Sequence, residues 1–259
     1  MLGIQRSIPF PRISLSKLID YLVFIGDNPG VNCSTIRERG LDIGKGRGDI
    51  TRFFQRIGLI SVDKDCNVRL TEIGNTIFKA LNNDIYLAKT LMHLIFYNEI
   101  PHYKLLIITV SERDLISLNE LHEEVNHRIR ELSPTAWLND VAFKTLIGLA
   151  VDLDVIKVED GKVSIRYAAS VSECIRVSIV SLGGQRILRT DELNNCLRRI
   201  FNGLNTEQLI NNISADGCVE PIIAPSRTNP KAAYLKVLDE NCIVRQVIKE
   251  ISKLIMKTT

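Results

Sequence analysis

Residues 45–74, KGRGDITRFFQRIGLISVDKDCNVRLTEIG, predict a helix, a hairpin and the start of another helix in close succession. The helix shows one apolar stripe, because four apolar residues follow the i, i+3, i+4, i+7 spacing: Ile50, Phe53, Phe54 and Ile57. Gly58 ends this helix as a left-handed C-cap. Residues 59–62 and 68–70 then predict two short strands around a polar turn, and Thr71 can cap the next helix.

The preceding residues add two more helices. A helix starts at Ser14 and ends before the run Gly26 to Gly30, and a shorter one starts at Asn32 or Ser34. Residues 13–82 therefore predict helix, helix, helix, hairpin, helix. This order, together with the run Arg69-Leu-Thr-Glu-Ile-Gly74, resembles the winged-helix (winged helix-turn-helix) superfamily. The resemblance implies that the helix at 48–57 reads the DNA major groove and that the hairpin is the wing.

Four glycines lie within residues 40–48, directly before that helix. A nucleotide-binding P-loop is disfavoured, because the GxxxxGK[ST] motif and a preceding apolar strand are both absent. We expect a permissive backbone here, followed by a helix N-terminus that could meet a DNA phosphate.

Residues 85–110 are apolar on several helical faces and are divided at Pro101. Such a pattern predicts burial between domains, and a dimer surface is the alternative. The C-terminal helix at 242–256 is a second candidate for the dimer interface.

A second repeat has the same predicted order of helices and strands as residues 13–82. Helices are predicted at 118–132 and 140–151, followed by strands around the tight turn 159–162, which carries Asp-Gly. Its third helix has only Lys144 as a base and is flanked by aspartates. Since acidic surfaces repel phosphate, we expect this unit to pack against protein.

A third and less regular copy is predicted over 171–238, with a long proline-containing loop at 224–231. The predicted fold is therefore mainly α with short β-hairpins, in tandem winged-helix domains. The predicted boundaries are 1–84, 85–168 and 169–259, the last ending in a C-terminal helix.

Composition excludes several classes of protein. The net charge is +3, distributed as +3, −3 and +3 over residues 1–85, 86–166 and 167–259, so a strongly basic coat is excluded and local basic surfaces are not. No apolar run is long enough to span a bilayer and no signal peptide is recognisable, so we expect a cytoplasmic protein, nucleoid-associated if prokaryotic. The six scattered cysteines lack close pairs, which favours reduced, buried thiols over a zinc site.

Catalytic motifs are weak. His122 and His127 are five residues apart, whereas a helical two-histidine zinc site needs four, so a solvated helix face is favoured. Asp154, Glu159 and Lys162 resemble a nuclease carboxylate–lysine set but are explained by the hairpin turn. Trp137, the only tryptophan, is predicted to be a core anchor. We therefore expect no enzymatic activity, no metal and no cofactor.

The remaining candidate chemistry is DNA binding. Arg52 and Arg56 lie at i and i+4 with Gln55 between them, and arginine reads guanine bidentately while glutamine reads adenine. The predicted DNA-binding residues are Lys45, Arg47, Thr51, Arg52, Gln55, Arg56, Lys64 and Arg69, with Arg227 and Lys231 as a second face. A solvated polar helix face is the alternative interpretation.

Two functions remain open from the sequence. The first is a DNA-binding transcription regulator or chromosome-associated factor, as a homodimer or with a protein partner. The alternative is a tandem winged-helix interaction subunit of a larger DNA-processing or transcription complex.

Overall fold

The computed structural model of the chain describes residues 14–43, 49–83, 85–113, 115–166, 171–200, 204–222 and 234–257. These residues are mainly helical, with three small antiparallel sheets among them. The chain divides into two compact units, residues 1–166 and 167–259. The boundary predicted at residue 84 falls inside the first unit.

The first repeat has the helices and hairpin that the sequence predicts. Its elements are α1 (Leu15–Asp27), β1 (Val31–Asn32), α2 (Cys33–Glu38), α3 (Asp49–Arg56), β2 (Ile60–Val62), β3 (Asn67–Leu70) and α4 (Glu72–Asn83). The sheet order is β1-β3-β2, with Val31 opposite Val68. Asn32 caps α2 by accepting a hydrogen bond from the Ser34 amide, and Gly58, at φ +76°, follows α3 as predicted.

The apolar stripe of α3 forms the core of this repeat. Its four residues are at most 4% exposed, and Phe54 is fully buried. The Phe54 ring meets the ring of Tyr21 on α1 edge-on, with centroids 5.4 Å apart. This confirms that the stripe packs against the helix that begins after Ser14.

Two apolar helices follow, α5 (Ile85–Glu99) and α6 (Pro101–Ser111). Residues 90–98 of α5 are all buried. Phe96 packs 5.8 Å from Phe53 of the first repeat, measured between ring centroids, and Lys89 forms a 2.8 Å ion pair with Asp154, which follows the second repeat's third helix. The predicted burial between repeats is confirmed. Because this burial occurs within one chain, most of the apolar stretch is already covered and cannot form a dimer surface.

The second repeat uses α6 as its first helix. It continues through β4 (Ile116–Ser117), α7 (Leu118–Leu132), α8 (Asp140–Asp152), β5 (Ile156–Glu159) and β6 (Lys162–Ile165). The sheet order is β4-β6-β5, and Glu159 pairs with Lys162 across the predicted tight turn. Ser117 and Glu120 form a reciprocal capping box at the start of α7.

The second compact unit, residues 167–259, contains a third repeat with the same order of helices and strands. Its elements are α9 (Val171–Val177), β7 (Ile179–Leu182), β8 (Gln185–Arg189), α10 (Thr190–Ile200), α11 (Thr206–Ala215), β9 (Val219–Pro221), β10 (Tyr234–Val237) and α12 (Glu240–Lys257). The sheet order β7-β8-β10-β9 repeats the first two sheets and adds β7 at one edge. In each of the three sheets, the last strand in chain order pairs with the strand that directly precedes the second helix of the repeat: β3 with β1, β6 with β4, and β10 with β8.

The cysteines correct the sequence interpretation. They form three disulfides, Cys33–Cys66, Cys174–Cys196 and Cys218–Cys242, with Cα–Cα distances of 5.6, 5.4 and 5.3 Å. No cysteine remains free. The prediction of reduced thiols was wrong because partners 22 to 33 residues apart in sequence are brought together only by the fold.

In the described part of the chain, no helix combines the length and the apolar character that crossing a membrane requires.

Candidate nucleic-acid interface

The start of α3 is fixed by one buried carboxylate. Asp42 is 4% exposed and accepts hydrogen bonds from the backbone amides of Ile50 and Thr51, at 2.9 and 3.0 Å. It also accepts one from the Thr51 hydroxyl at 2.5 Å. That hydroxyl lies 2.6 Å from the hydroxyl of Tyr21, whose pKa burial raises well above its ordinary value. The chain Tyr21–Thr51–Asp42 thus ties α3 to α1 through buried polar groups.

This arrangement corrects two predictions. Thr51 is fully buried and its hydroxyl is used inside the chain, so it cannot contact DNA. The N-terminus of α3 is also occupied, because the amide of Asp49 donates to the Ile43 carbonyl and the next two amides donate to Asp42. A phosphate therefore finds no free amide among these three.

The outer face of α3 carries the predicted cations. Arg52 and Arg56 are exposed and Gln55 is half-buried, one turn apart along the same side. The inner side of the same helix holds the buried stripe. The helix therefore presents a positively charged, hydrogen-bonding face while it is anchored from beneath.

The hairpin beside α3 is held rigidly. The Cys33–Cys66 disulfide joins its turn to the start of α2, and Asn32 donates to the Asp65 carbonyl at 2.8 Å. Asp63 accepts from the backbone amide of Asn67 at 2.8 Å, and this bond leads the causes that lower the pKa of the Asp63 carboxyl. A turn fixed by both covalent and hydrogen bonds presents its surface with little entropic loss on binding.

The two predicted hairpin cations differ in their surroundings. Lys64 is exposed, yet it lies between Asp63 and Asp65, so the tip of the turn has a net negative charge. Arg69 is exposed on β3, and its guanidinium lies beside Gly30, whose φ of +85° is in the left-handed region. Of the two, Arg69 is the better placed to meet a phosphate.

Four predicted cations lie outside the described residues. Lys45 and Arg47 fall within 44–48, and Arg227 and Lys231 fall within 223–233.

The third helix of the second repeat has a different face. α8 exposes Val141 and Val151, 43% and 37% respectively, together with Lys144, Gly148 and Asp152. Its N-cap is Asn139, whose side chain accepts from the Ala142 amide. Trp137, just before this cap, is 50% exposed, so the prediction of a core anchor was wrong; Ala136 and Leu138 on either side of it are buried instead.

The histidine and carboxylate motifs have structural roles. His122 lies 2.7 Å from the Leu138 carbonyl through Nε2 and stacks on Phe143, while His127 is exposed beside Glu131. Asp154 forms ion pairs with Lys89 and Arg166. Within the ranges that the structure describes, no group of three or more histidine, cysteine or acidic side chains could hold a metal.

Sequence reasoning missed Asp42 and the exposed face of α8. An ordinary N-cap directly precedes its helix, whereas Asp42 reaches the first turn of α3 from seven residues before it, across the glycine-rich segment. The α8 face was visible as Val141, Gly148 and Val151 at helical spacing, but sequence alone does not show which apolar residues a neighbouring element covers.

Comparisons with models of protein families, with curated proteins and with solved structures gave no match.

Proposed function

We propose that this chain is a non-enzymatic, duplex DNA-binding protein built from three winged-helix units, and that it acts as a transcription regulator or chromosome-associated factor. The shared order of elements and the shared strand order of the three sheets support the winged-helix assignment. In such a unit the third helix and the hairpin face DNA. The first repeat is the reader in this proposal.

The observation that carries the proposal is the exposed cationic face of α3. Arg52 and Arg56 could each donate two hydrogen bonds to guanine, and Gln55 could pair with adenine. In this proposal Arg69 holds the DNA backbone beside the groove, and Lys45 and Arg47, which lie outside the described residues, are further candidates for phosphate contacts. Thr51 has no part in this set because it is buried.

A salt titration of duplex binding tests the proposal. We expect the variant Arg52→Ala/Arg56→Ala to bind more weakly, with a salt slope smaller by about 0.9 for each phosphate that the protein no longer neutralises. Removal of a bidentate hydrogen bond to a base should instead cost about 1–3 kcal/mol at one base position. Fluorescence anisotropy of a labelled duplex, titrated with protein up to high micromolar concentration, measures the salt slope. Defined duplexes that differ at single base pairs then measure the cost at one base position.

The matched control is Lys17→Ala/Arg130→Ala, which removes two exposed cations from other helices and so lowers the net charge equally. We expect it to change affinity little. Absence of duplex binding by the wild type at low salt, or an equal fall in affinity in both variants, would contradict a reader on α3.

The alternative function is a tandem winged-helix interaction subunit of a larger DNA-processing or transcription complex. One observation favours it: the outer face of α8 combines exposed valines with one lysine and one aspartate, where α3 carries two arginines. In that case the wild type shows no duplex affinity in the titration above.

A cytoplasmic or nucleoid location belongs to the same proposal. Disulfides are rare in cytosolic proteins, and intracellular proteins of hyperthermophiles are the known exception. The proposal therefore requires a cytosol in which the three disulfides persist. Alkylation of free thiols in a fresh lysate, before any reductant is added, tests this requirement. Labelled cysteines in this protein would show that the disulfides are absent there and would contradict the requirement.

A further inference from the structure

We propose that two copies of this chain associate through the exposed face of α8, antiparallel and related by a two-fold axis at Gly148. The proposal goes beyond DNA binding and does not depend on it. It rests on the composition of the face, on the glycine at its centre and on the placement of two opposite charges.

The exposed residues of α8 form one continuous face. At about 100° per residue, the side chains at six positions fall within an arc of about 120°. These residues are Val151, Lys144, Gly148, Val141, Asp152 and Thr145, in order around the helix. Thr145 is half-buried and the other five are exposed. Asp140, the first residue of α8, is also exposed; it lies at the edge of this arc, 3.4 Å from Nδ1 of His122. The opposite side packs into the repeat through Phe143, Leu146 and Ile147.

Gly148 lies near the centre of this arc. A Cβ added there would meet no atom within 4 Å, so folding of the chain does not require glycine at this position. Glycine is also the least favourable residue after proline in a helix interior. A glycine at position 148 lets a second helix approach the backbone of α8 closely. That helix would then cover the exposed side chains of Val141 and Val151 on either side.

The charges select an antiparallel pair of identical helices. Lys144 and Asp152 lie four residues before and four residues after Gly148. A two-fold axis at Gly148 therefore places Lys144 opposite Asp152 of the partner subunit, and it does so twice. Within one copy the two side chains are about 12 Å apart along the helix and cannot pair. Neither forms an ion pair with another residue that the structure describes.

Other arrangements of the same face fit less well. A parallel pair would place lysine beside lysine and aspartate beside aspartate, and like charges disfavour it. DNA would meet one lysine and two aspartates here, counting Asp140 at the edge of the face, which gives no net attraction to phosphate. The antiparallel pair is self-complementary, as the interface of a two-fold dimer must be.

The expected dimer is weak. The face of one 13-residue helix is small beside the roughly 1,200–2,000 Å² of a standard stable interface. Association should therefore depend on concentration and weaken as salt rises.

Charge reversal tests the pairing directly. We expect sedimentation equilibrium of the full chain in low salt, from about 5 to 500 µM, to show a monomer–dimer equilibrium. Lys144→Asp and Asp152→Lys should each weaken it about tenfold, because each replaces two attractive contacts by two repulsive ones. The combined Lys144→Asp/Asp152→Lys variant should restore association to within about threefold of wild type.

Gly148→Leu provides an independent test that does not alter charge. Residue 148 is exposed and a Cβ there meets no atom within 4 Å, so the thermal midpoint of the monomer should not fall, while dimerisation should be abolished. Thermal melting of every variant checks folding. A wild type that stays monomeric at 500 µM, a dimer that Gly148→Leu leaves intact, or a double reversal that fails to restore association would each overturn the proposal.

Discussion

α3 and α8 occupy the same place in two repeats of one architecture, and they show opposite surfaces. Each follows two helices, each precedes a hairpin, and each buries aromatic or aliphatic residues on its inner side. The outer face of α3 carries Arg52, Gln55 and Arg56. That of α8 exposes two valines and a glycine, with the oppositely charged Lys144 and Asp152 among them.

The difference shows how one scaffold separates stability from recognition. The inner faces must be apolar in both repeats because they form the core, so they say little about role. The outer faces are free to diverge, and they are where α3 and α8 differ: α3 shows two arginines and a glutamine, and α8 shows valines with one lysine and one aspartate. The following predictions test whether the inner faces are indeed equivalent and whether the anchoring of the two helices differs.

The largest expected effect concerns the inner faces. Phe54→Ala and Phe143→Ala should each reduce the free energy of unfolding by about 3–5 kcal/mol, the usual cost of truncating a buried phenylalanine, since these residues are at most 5% exposed. Urea unfolding of both variants measures this, with Arg56→Ala as the exposed control. A decrease below about 1 kcal/mol for either phenylalanine would break the equivalence of the two repeats.

The next effect concerns the two helix starts. Asp42→Ala should destabilise the protein by about 1.5–3 kcal/mol, because a charged acceptor of two amides and a hydroxyl is removed from a buried position. Asn139→Ala, which removes a single exposed cap on α8, should cost about 1 kcal/mol. Equal destabilisation in the same unfolding experiment would show that α3 is not anchored more strongly than α8.

The effect that is smallest at neutral pH, and grows only as the solution is acidified, concerns α5, the helix between the two repeats. His93 is fully buried, and burial lowers its pKa from 6.5 to about 3. The unfolded chain therefore binds a proton below pH 6.5 that the folded chain does not bind until about pH 3. The free energy of unfolding should therefore lose nothing to His93 above about pH 6.5 and should fall by about 1.4 kcal/mol per pH unit below it. Burial also lowers the pKa of His102, to about 4, so His102 adds to this slope.

The control for this pH dependence is the exposed His127. His93→Gln should reduce the slope between pH 6 and pH 5 by about 1.4 kcal/mol per unit, whereas His127→Gln should leave it unchanged. Denaturant unfolding at several pH values gives both slopes. Identical slopes in wild type and His93→Gln would contradict a neutral buried imidazole.

The sequence predicted the local elements well and the long-range polar contacts poorly. The stripe from Ile50 to Ile57, the stop at Gly58 and the turn at Asp160–Gly161 follow from periodicity and from backbone preference, which act over a few residues. The same rules placed Arg52 and Arg56 on the outer side of α3, where the structure exposes them.

The misses involve partners that are distant in sequence. Thr51 looked like a polar surface residue, and only its meeting with Asp42 and Tyr21 shows that its hydroxyl is satisfied inside the core. Trp137 looked like a core residue by its type, yet its neighbours Ala136 and Leu138 take the buried positions. The hydrophobicity of a side chain indicates how much free energy its burial would contribute. It does not indicate which residue of a segment points into the core.

The disulfide between α2 and the first hairpin also has a mechanical consequence. Cys33 and Cys66 are 33 residues apart, and the loop they close contains all of α3. If the two ends of the chain are pulled apart, tension passes across the sulfur–sulfur bond and bypasses that loop. About 110 Å of extension is thereby withheld until the bond is reduced, at roughly 3.4 Å per residue. Under load, the helix that carries Arg52 and Arg56 is thus shielded from direct stretching.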